Sequence, residues 1–190
     1  MKPFLLILSL CTMSGGVLWA QTAGEGAAST AANPLSTAVR HAYDNVKLNI
    51  LQAAEAVPEQ DYSFKPTPDV RTFAEVLNHI SASQARACSN VLGSTMTYSA
   101  PAENASKATV LAALKASFNE CDSAYEQMTD ATATQMVRSF RGEVPKLAAL
   151  MMNVDHDSEQ YGILTVYMRL KGIVPPSTAR AMAARRGQGR

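Results

Sequence analysis

The segment "HDSEQYG", residues 156–162, places His156 and Gln160 one helical turn apart. Side chains at positions i and i+4 lie on the same face of a helix, so the two project together. Two histidines at this spacing, with a third from another helix, form a three-ligand site for zinc, nickel or iron that leaves room for water or substrate. Two more histidines are available. His79 lies on the flank of another helical pattern, whereas His41 lies opposite the apolar stripe of its helix, where a surface residue is expected.

Gln160 weakens the prediction of a metal site. An amide offers only a carbonyl oxygen, which is a harder and weaker ligand than imidazole for zinc or nickel. His79 and His156 are 77 positions apart, and from spacing alone such a pair is more often structural than metal-binding. Glu159, beside Gln160, is a candidate to orient a ligand histidine through a hydrogen bond. The alternative is that Glu159 belongs to a solvated helix face.

Several other kinds of site are excluded because their motifs are missing. The sequence has no Glu-x-x-His pair of a di-iron bundle, no GxGxxG or phosphate-binding loop, no HExxH and no CxxCH haem motif. The formal net charge is +1 and only 17% of residues are charged. Such a chain lacks the strong positive electrostatic field that attracts nucleic acid. Nucleic acid is therefore not an expected partner.

Residues 1–20 have the pattern of a secretory signal peptide. Lys2 precedes the apolar run "FLLILSLCTM", and "GGVLWA" ends in a small residue. The run is too short to count as a spanning helix of the mature protein, so no transmembrane segment is expected after its removal. We therefore expect an exported bacterial protein, periplasmic or secreted. Residues 21–34, "QTAGEGAASTAANP", predict a flexible linker because they are small and polar without periodicity.

Four helical patterns follow the linker, without a convincing strand pattern, and predict an all-α four-helix bundle over residues 35–177. The second pattern begins with "TFAE", in which Thr72 and Glu75 form a capping box. Residues 129–144 are less regular and are compatible with a turn or a short extended pair. The basic tail, residues 178–190, is expected to be disordered. The four patterns cover about residues 35–57, 72–93, 106–128 and 145–172.

Cys88 and Cys121 remain after removal of the leader, and export makes a disulfide between them permissible. Cys88 lies 16 residues after Thr72, and Cys121 lies 15 after Ser106. At about 1.5 Å per residue, the two thiols are level in parallel helices but about 15 Å apart in a hairpin, beyond disulfide reach. Residues 93–107 are long enough to cross the bundle. A Cys88–Cys121 bond therefore predicts an up-down-down-up bundle with a long crossover between helices two and three; the alternative is two buried thiols that never meet.

The segments "SFKPTPDVRTFAEVLNHI" and "HDSEQYGILTVYMRLKGIVPPS", with the cysteine pair between them, resemble the DinB-like family of four-helix bundles. The resemblance covers about residues 35–177. It implies an up-down-down-up bundle and, for many members, a divalent metal held by one histidine on the second helix and two at i,i+4 on the fourth. His79 and His156 match two of these ligands, and Gln160 stands where "HxxEHYG" has histidine. Relatives include transferases and isomerases that use small thiols in the cytoplasm. The export expected for this chain would place it in a different compartment from these relatives.

Two functions of different classes are consistent with the residues and the resemblance. The first is a metal-dependent hydrolase or transferase with zinc, nickel or iron at His79, His156 and Gln160. The second is a non-catalytic binding or structural bundle whose metal site has degenerated at Gln160. A small-molecule substrate is the expected partner in the first case, and a homodimer is the candidate assembly.

Overall fold

The computed structural model describes residues 32–95 and 98–188, so the predicted signal peptide, residues 1–20, and most of the predicted linker lie outside the described residues. The described chain is mostly helical, with one short two-stranded hairpin, which confirms the predicted fold class. Within it, no helix is both long and apolar enough to cross a membrane. In chain order the elements are α1 (Pro34–Ala56), a 3-10 turn (Glu59–Asp61), α2 (Phe73–Leu92), α3 (Lys107–Glu126), β1 (Met136–Ser139), β2 (Gly142–Pro145), α4 (Lys146–Leu170) and α5 (Pro176–Gln188).

The start of α2 is fixed by the predicted capping box. The Thr72 hydroxyl accepts a hydrogen bond from the Glu75 amide at 3.2 Å, and the Thr72 amide donates to the Glu75 carboxylate at 2.6 Å. Two backbone amides that have no partner within the helix are thereby satisfied. Gly93 ends the helix with φ 69°, a left-handed conformation that glycine adopts without strain. This cap sets the register of the helix that carries His79.

The core lies between the four long helices, whose apolar stripes face one another. Tyr43 of α1 stacks on Tyr125 of α3 with ring centroids 3.8 Å apart. Full burial of one large apolar side chain stabilises a fold by about 1.5–3 kcal/mol. The largest fully buried apolar side chains come from all four helices and include Tyr43, Ile50, Phe73, Leu77, Ile80, Leu114, Phe118, Leu150, Leu164 and Met168.

Cys88 of α2 and Cys121 of α3 form a disulfide, with their Cα atoms 5.1 Å apart and both side chains fully buried. Both helices begin beside the α1–α2 connection. Lys107 at the start of α3 donates to the Val57 carbonyl at 2.7 Å, and Ala74 at the start of α2 donates to the Tyr62 carbonyl at 2.9 Å. These contacts are what an up-down-down-up order predicts, and that order remains our prediction for the bundle as a whole.

Residues 136–145 form the short extended pair that the sequence left open. β1 and β2 are antiparallel, with Arg138 opposite Glu143 and Ser139 opposite Gly142. Gly142 has φ 100°, a value that side chains disfavour, and this allows the tight turn after Phe140 and Arg141. The hairpin packs against α2 and α4 and carries two arginines to the end of the bundle where α2 finishes.

The expectation of a disordered tail is wrong for residues 178–188, which belong to α5. Arg180 donates to the side-chain oxygens of Asn49 and Gln52 on α1, the latter at 2.6 Å. The run "ARAMAARR" is rich in strong helix formers. A segment with only a weak apolar stripe is thus helical because of its helix propensity and because Arg180 bonds to α1.

Candidate functional site

His79 of α2 and His156 of α4 meet face to edge between the two helices. Their Nε2 atoms are 3.0 Å apart, the ring centroids are 4.9 Å apart, and the ring planes are inclined by 65°. The two helices run in opposite directions here, since Tyr167 near the end of α4 donates to the Arg71 carbonyl just before α2. His41 is exposed on α1, as predicted. The structure therefore brings together the two histidines that the sequence selected.

Asp157 fixes the orientation of His156. Its Oδ1 lies 3.3 Å from His156 Nδ1, and its Oδ2 lies 3.4 Å from the Asn153 amide nitrogen. Asn153 in turn donates to the Tyr125 hydroxyl, which donates to the Leu150 carbonyl. A carboxylate that accepts the Nδ1 proton leaves the His156 Nε2 lone pair free, which is the tautomer that binds a metal through Nε2.

Burial controls the charge state of these groups. Because Asp157 is fully buried, its pKa is raised from 3.8 to about 6, although the hydrogen bond from His156 opposes the rise. Burial also lowers the pKa of His79, and the positive charge of Arg71 lowers it further. His79 is therefore held in the neutral form, which is the form that can donate a lone pair to a metal.

Glu159, the residue expected to orient a ligand, does not do so in the structure. It is exposed, and within the described residues no hydrogen bond joins it to either histidine. Asp157 takes this role instead. The sequence pattern does not single it out, because the residue next to His156 is rotated by about 100° on an ideal helix and so lies on a different face. Its Oδ1 reaches Nδ1 because the imidazole turns its Nδ1 edge inward and its Nε2 edge toward His79.

Gln160 is buried, with 5% of its surface exposed, and its amide oxygen has no hydrogen-bond partner within the described residues. Both amide atoms of the fully buried Gln84 on α2 are also without a partner there. A buried polar atom that makes no hydrogen bond costs about 1–3 kcal/mol. The Gln160 oxygen, on the residue one helical turn after His156, is therefore a potential metal ligand that makes no hydrogen bond within the described residues.

Two imidazole nitrogens and one amide oxygen are suitable ligands for a divalent ion, but they would bind it weakly. Two nitrogens bound to one ion at about 2.0–2.1 Å lie about 2.9–3.4 Å apart, depending on the ligand angle. The 3.0 Å between the Nε2 atoms lies in that range. No group of three or more His, Cys, Asp or Glu side chains with metal-binding geometry occurs in residues 32–95 and 98–188. An ion here would have two imidazoles, from His79 and His156, and the Gln160 amide oxygen.

A cavity of about 390 Å³ opens beside the histidine pair, between α2, α4 and the β-hairpin. His156 forms part of its wall, together with the neutral side chains of Asn90, Ala149 and Met152. Because ligand sites are usually pockets of about 300–1,000 Å³, this space is adequate for a small molecule.

These features define a helix bundle with an imidazole pair between two antiparallel helices. The family model for the DinB superfamily matches residues 42–164. The chain therefore belongs to the DinB superfamily, whose members are commonly metal-associated.

Two solved structures share this fold. A DinB-like protein from Bacillus cereus ATCC 10987 is 18% identical with a TM-score of 0.61, and the match covers 73% of this chain and 93% of that one. A DinB-like protein from Bacillus subtilis is 20% identical with a TM-score of 0.53, and the match covers 66% of this chain and 85% of that one. None of the curated proteins matches the sequence. At these identities the likeness concerns the fold alone.

Proposed function

We propose that this DinB-superfamily bundle binds a divalent metal at His79 and His156, with the Gln160 amide oxygen as a weak third ligand, and acts on a small molecule as a hydrolase or transferase. The 3.0 Å separation of the two Nε2 atoms is the observation that carries this proposal. The superfamily's common association with metals supports it.

Each side chain has a separate part in this proposal. Asp157 holds the His156 ring so that its Nε2 faces His79, and the buried surroundings of His79 keep that imidazole neutral. The cavity beside His156 holds the substrate. A bound divalent ion supplies Lewis-acid polarisation of a carbonyl or phosphoryl oxygen.

The affinity for the ion is lower than that of a three-histidine site. The Gln160 oxygen is a poorer donor than imidazole for zinc, nickel or iron. Binding still relieves the buried oxygen of its missing partner, which offsets part of that deficit.

Metal content and thermal shift of the purified protein test the proposal. Wild type is expected to carry substoichiometric metal and to melt at a higher temperature when zinc or nickel is added. His79→Ala is expected to lose both effects. His41→Ala is the matched control, because it removes an exposed histidine of α1, outside the pair, and is expected to behave like wild type. If wild type and His79→Ala respond equally, metal binding at this pair is refuted.

A non-catalytic bundle is the second candidate, and one observation favours it. A distance of 3.0 Å between two ring nitrogens is also that of an N–H···N hydrogen bond, in which His79 donates to His156 without any ion. In that case wild type shows no metal response, whereas Gln160→His restores a third imidazole and gains one.

Export from the bacterial cell is part of the same proposal. It is supported by the leader pattern in residues 1–20 and by the buried Cys88–Cys121 disulfide, which an oxidising compartment preserves. Expression of the full chain followed by cell fractionation tests it. The expected product is a periplasmic or secreted protein whose mass corresponds to loss of the leader, and an intact cytoplasmic chain would contradict export.

A further inference from the structure

Three arginines converge on the cavity beside His156 from two different elements. Arg86 lies on α2, and Arg138 and Arg141 lie on the β-hairpin. Phe140, at the tip of the hairpin, also lines the cavity and is 76% exposed. The Arg141 guanidinium lies 5.3 Å from the Phe140 ring centroid, within range of a cation–π interaction.

In the part of the chain that the structure describes, these three guanidinium groups have no acidic partner. Within residues 32–95 and 98–188, none of them forms an ion pair or a side-chain hydrogen bond, and Glu143, directly across the hairpin from Arg138, forms no ion pair with it. Other arginines do have partners in the fold. Arg40 pairs with Glu126, and Arg180 binds two amide oxygens of α1. The cavity thus collects cationic groups whose hydrogen-bond donors are available.

The opposite wall of the cavity is acidic. Asp155 and Glu159 project from α4, where they face the same space as the arginines of α2 and the hairpin. This arrangement disfavours a polyanion, because its negative charges would be repelled by the carboxylates of Asp155 and Glu159. It is compatible with a molecule that has one anionic group and directs that group toward the hairpin. The rest of the wall is mixed, with the apolar side chains of Ala87, Ala149 and Met152 and the uncharged polar side chains of Ser83, Asn90, Ser139 and Asn153.

We propose that this cavity binds a small organic anion, with its carboxylate or phosphate held by Arg86, Arg138 and Arg141 and its apolar part against Phe140 and Met152. Guanidinium groups match both carboxylate and phosphate because their planar N–H donors bind two oxygens at once. The inference rests on the proposed function in that it names the substrate class of the same site. It places the anionic end of the substrate at the hairpin and leaves the part near His156 to react.

Binding of phenyl phosphate and phenylacetate to the full mature protein tests this assignment. The titrations are done by calorimetry on protein that has been stripped of metal with EDTA and then dialysed free of it, so that they report on the arginines whether or not the histidine pair binds metal. Benzyl alcohol is the neutral probe, because it keeps the aromatic ring and lacks the anionic group. At least one of the two anions is expected to bind measurably more tightly than benzyl alcohol, and which one binds distinguishes phosphate from carboxylate as the recognised group.

The double variant Arg138→Gln, Arg141→Gln is expected to weaken anion binding at least about tenfold. The double variant Arg185→Gln, Arg186→Gln removes the same charge from exposed positions of α5 and is expected to leave the Kd unchanged. Arg86→Gln, on the rigid helix α2, gives the same test without touching the hairpin. His79→Ala is expected to bind the anion normally, which separates this inference from metal binding.

Three results would overturn the inference. They are no measurable binding of either anion to wild type, equal affinity for benzyl alcohol, and equal weakening by the hairpin and α5 double variants. The last result would mean that the anion senses only the overall charge of the protein.

Discussion

Reduction of the Cys88–Cys121 disulfide is expected to lower the free energy of unfolding by about 4 kcal/mol. The crosslink closes a loop with a sequence separation of 33 residues. The loss of chain entropy in an unfolded chain crosslinked over that distance corresponds to about 4 kcal/mol at 25 °C. For a domain of about 150 residues, this lowers the melting temperature by roughly 8–16 °C.

Urea unfolding of the oxidised and reduced wild-type protein measures this difference without changing the sequence. Because both cysteines are fully buried, the protein is unfolded in reductant and refolded in its presence. The control is the double variant Cys88→Ala, Cys121→Ala, whose unfolding midpoint should not respond to reductant. Coincident midpoints of the oxidised and reduced wild-type protein would show that the crosslink does not stabilise the fold. Two free thiols in the mature protein would show that Cys88 and Cys121 are not bonded.

Three further perturbations test the surroundings of the site and the fold. Because the pKa of Asp157 is raised from 3.8 to about 6, the folded protein binds this proton more tightly than the unfolded chain. Its contribution to the unfolding free energy therefore falls by about 3 kcal/mol as the pH rises through that window. Asp157→Asn is expected to remove this fall, measured as the difference between variant and wild type in urea unfolding from pH 3.5 to about 7. An identical pH profile would contradict the assignment. Arg180→Ala removes the bonds from α5 to α1, and faster amide hydrogen exchange in residues 178–188 is expected; unchanged exchange would show that other contacts hold the helix. Thr72→Ala removes the cap of α2 and is expected to cost about 1 kcal/mol, and a loss near zero in urea unfolding would show that the capping box contributes little.

Much of the fold could be predicted from the sequence because its signals are local. The spacing of apolar residues places the long helices, and the pairing of Thr72 with Glu75 places the start of α2. The distance of Cys88 and of Cys121 from the start of its helix can also be predicted from the sequence, because the rise per residue in an α-helix is constant. The tail was harder, because α5 has a weak apolar stripe and depends on Arg180 reaching residues far away in the chain.

The candidate site could be predicted only in part. His79 and His156 stand out because imidazole is rare in this chain and because the surrounding segments resemble a known family. Asp157 does not stand out, since its role depends on the rotation of one ring. The arginines of the hairpin were also missed. Their convergence depends on a turn of a few residues that positions Arg138 and Arg141 over a cavity formed by helices distant in sequence.

We propose that His79, His156 and Gln160 form a metal site whose affinity is limited by the glutamine. The most direct test is a zinc titration of wild type, Gln160→His and His79→Ala under the same conditions. We expect weak binding by wild type, binding at least about tenfold tighter by Gln160→His, and no binding by His79→Ala. Equal affinities for wild type and Gln160→His, or full binding by His79→Ala, would contradict it.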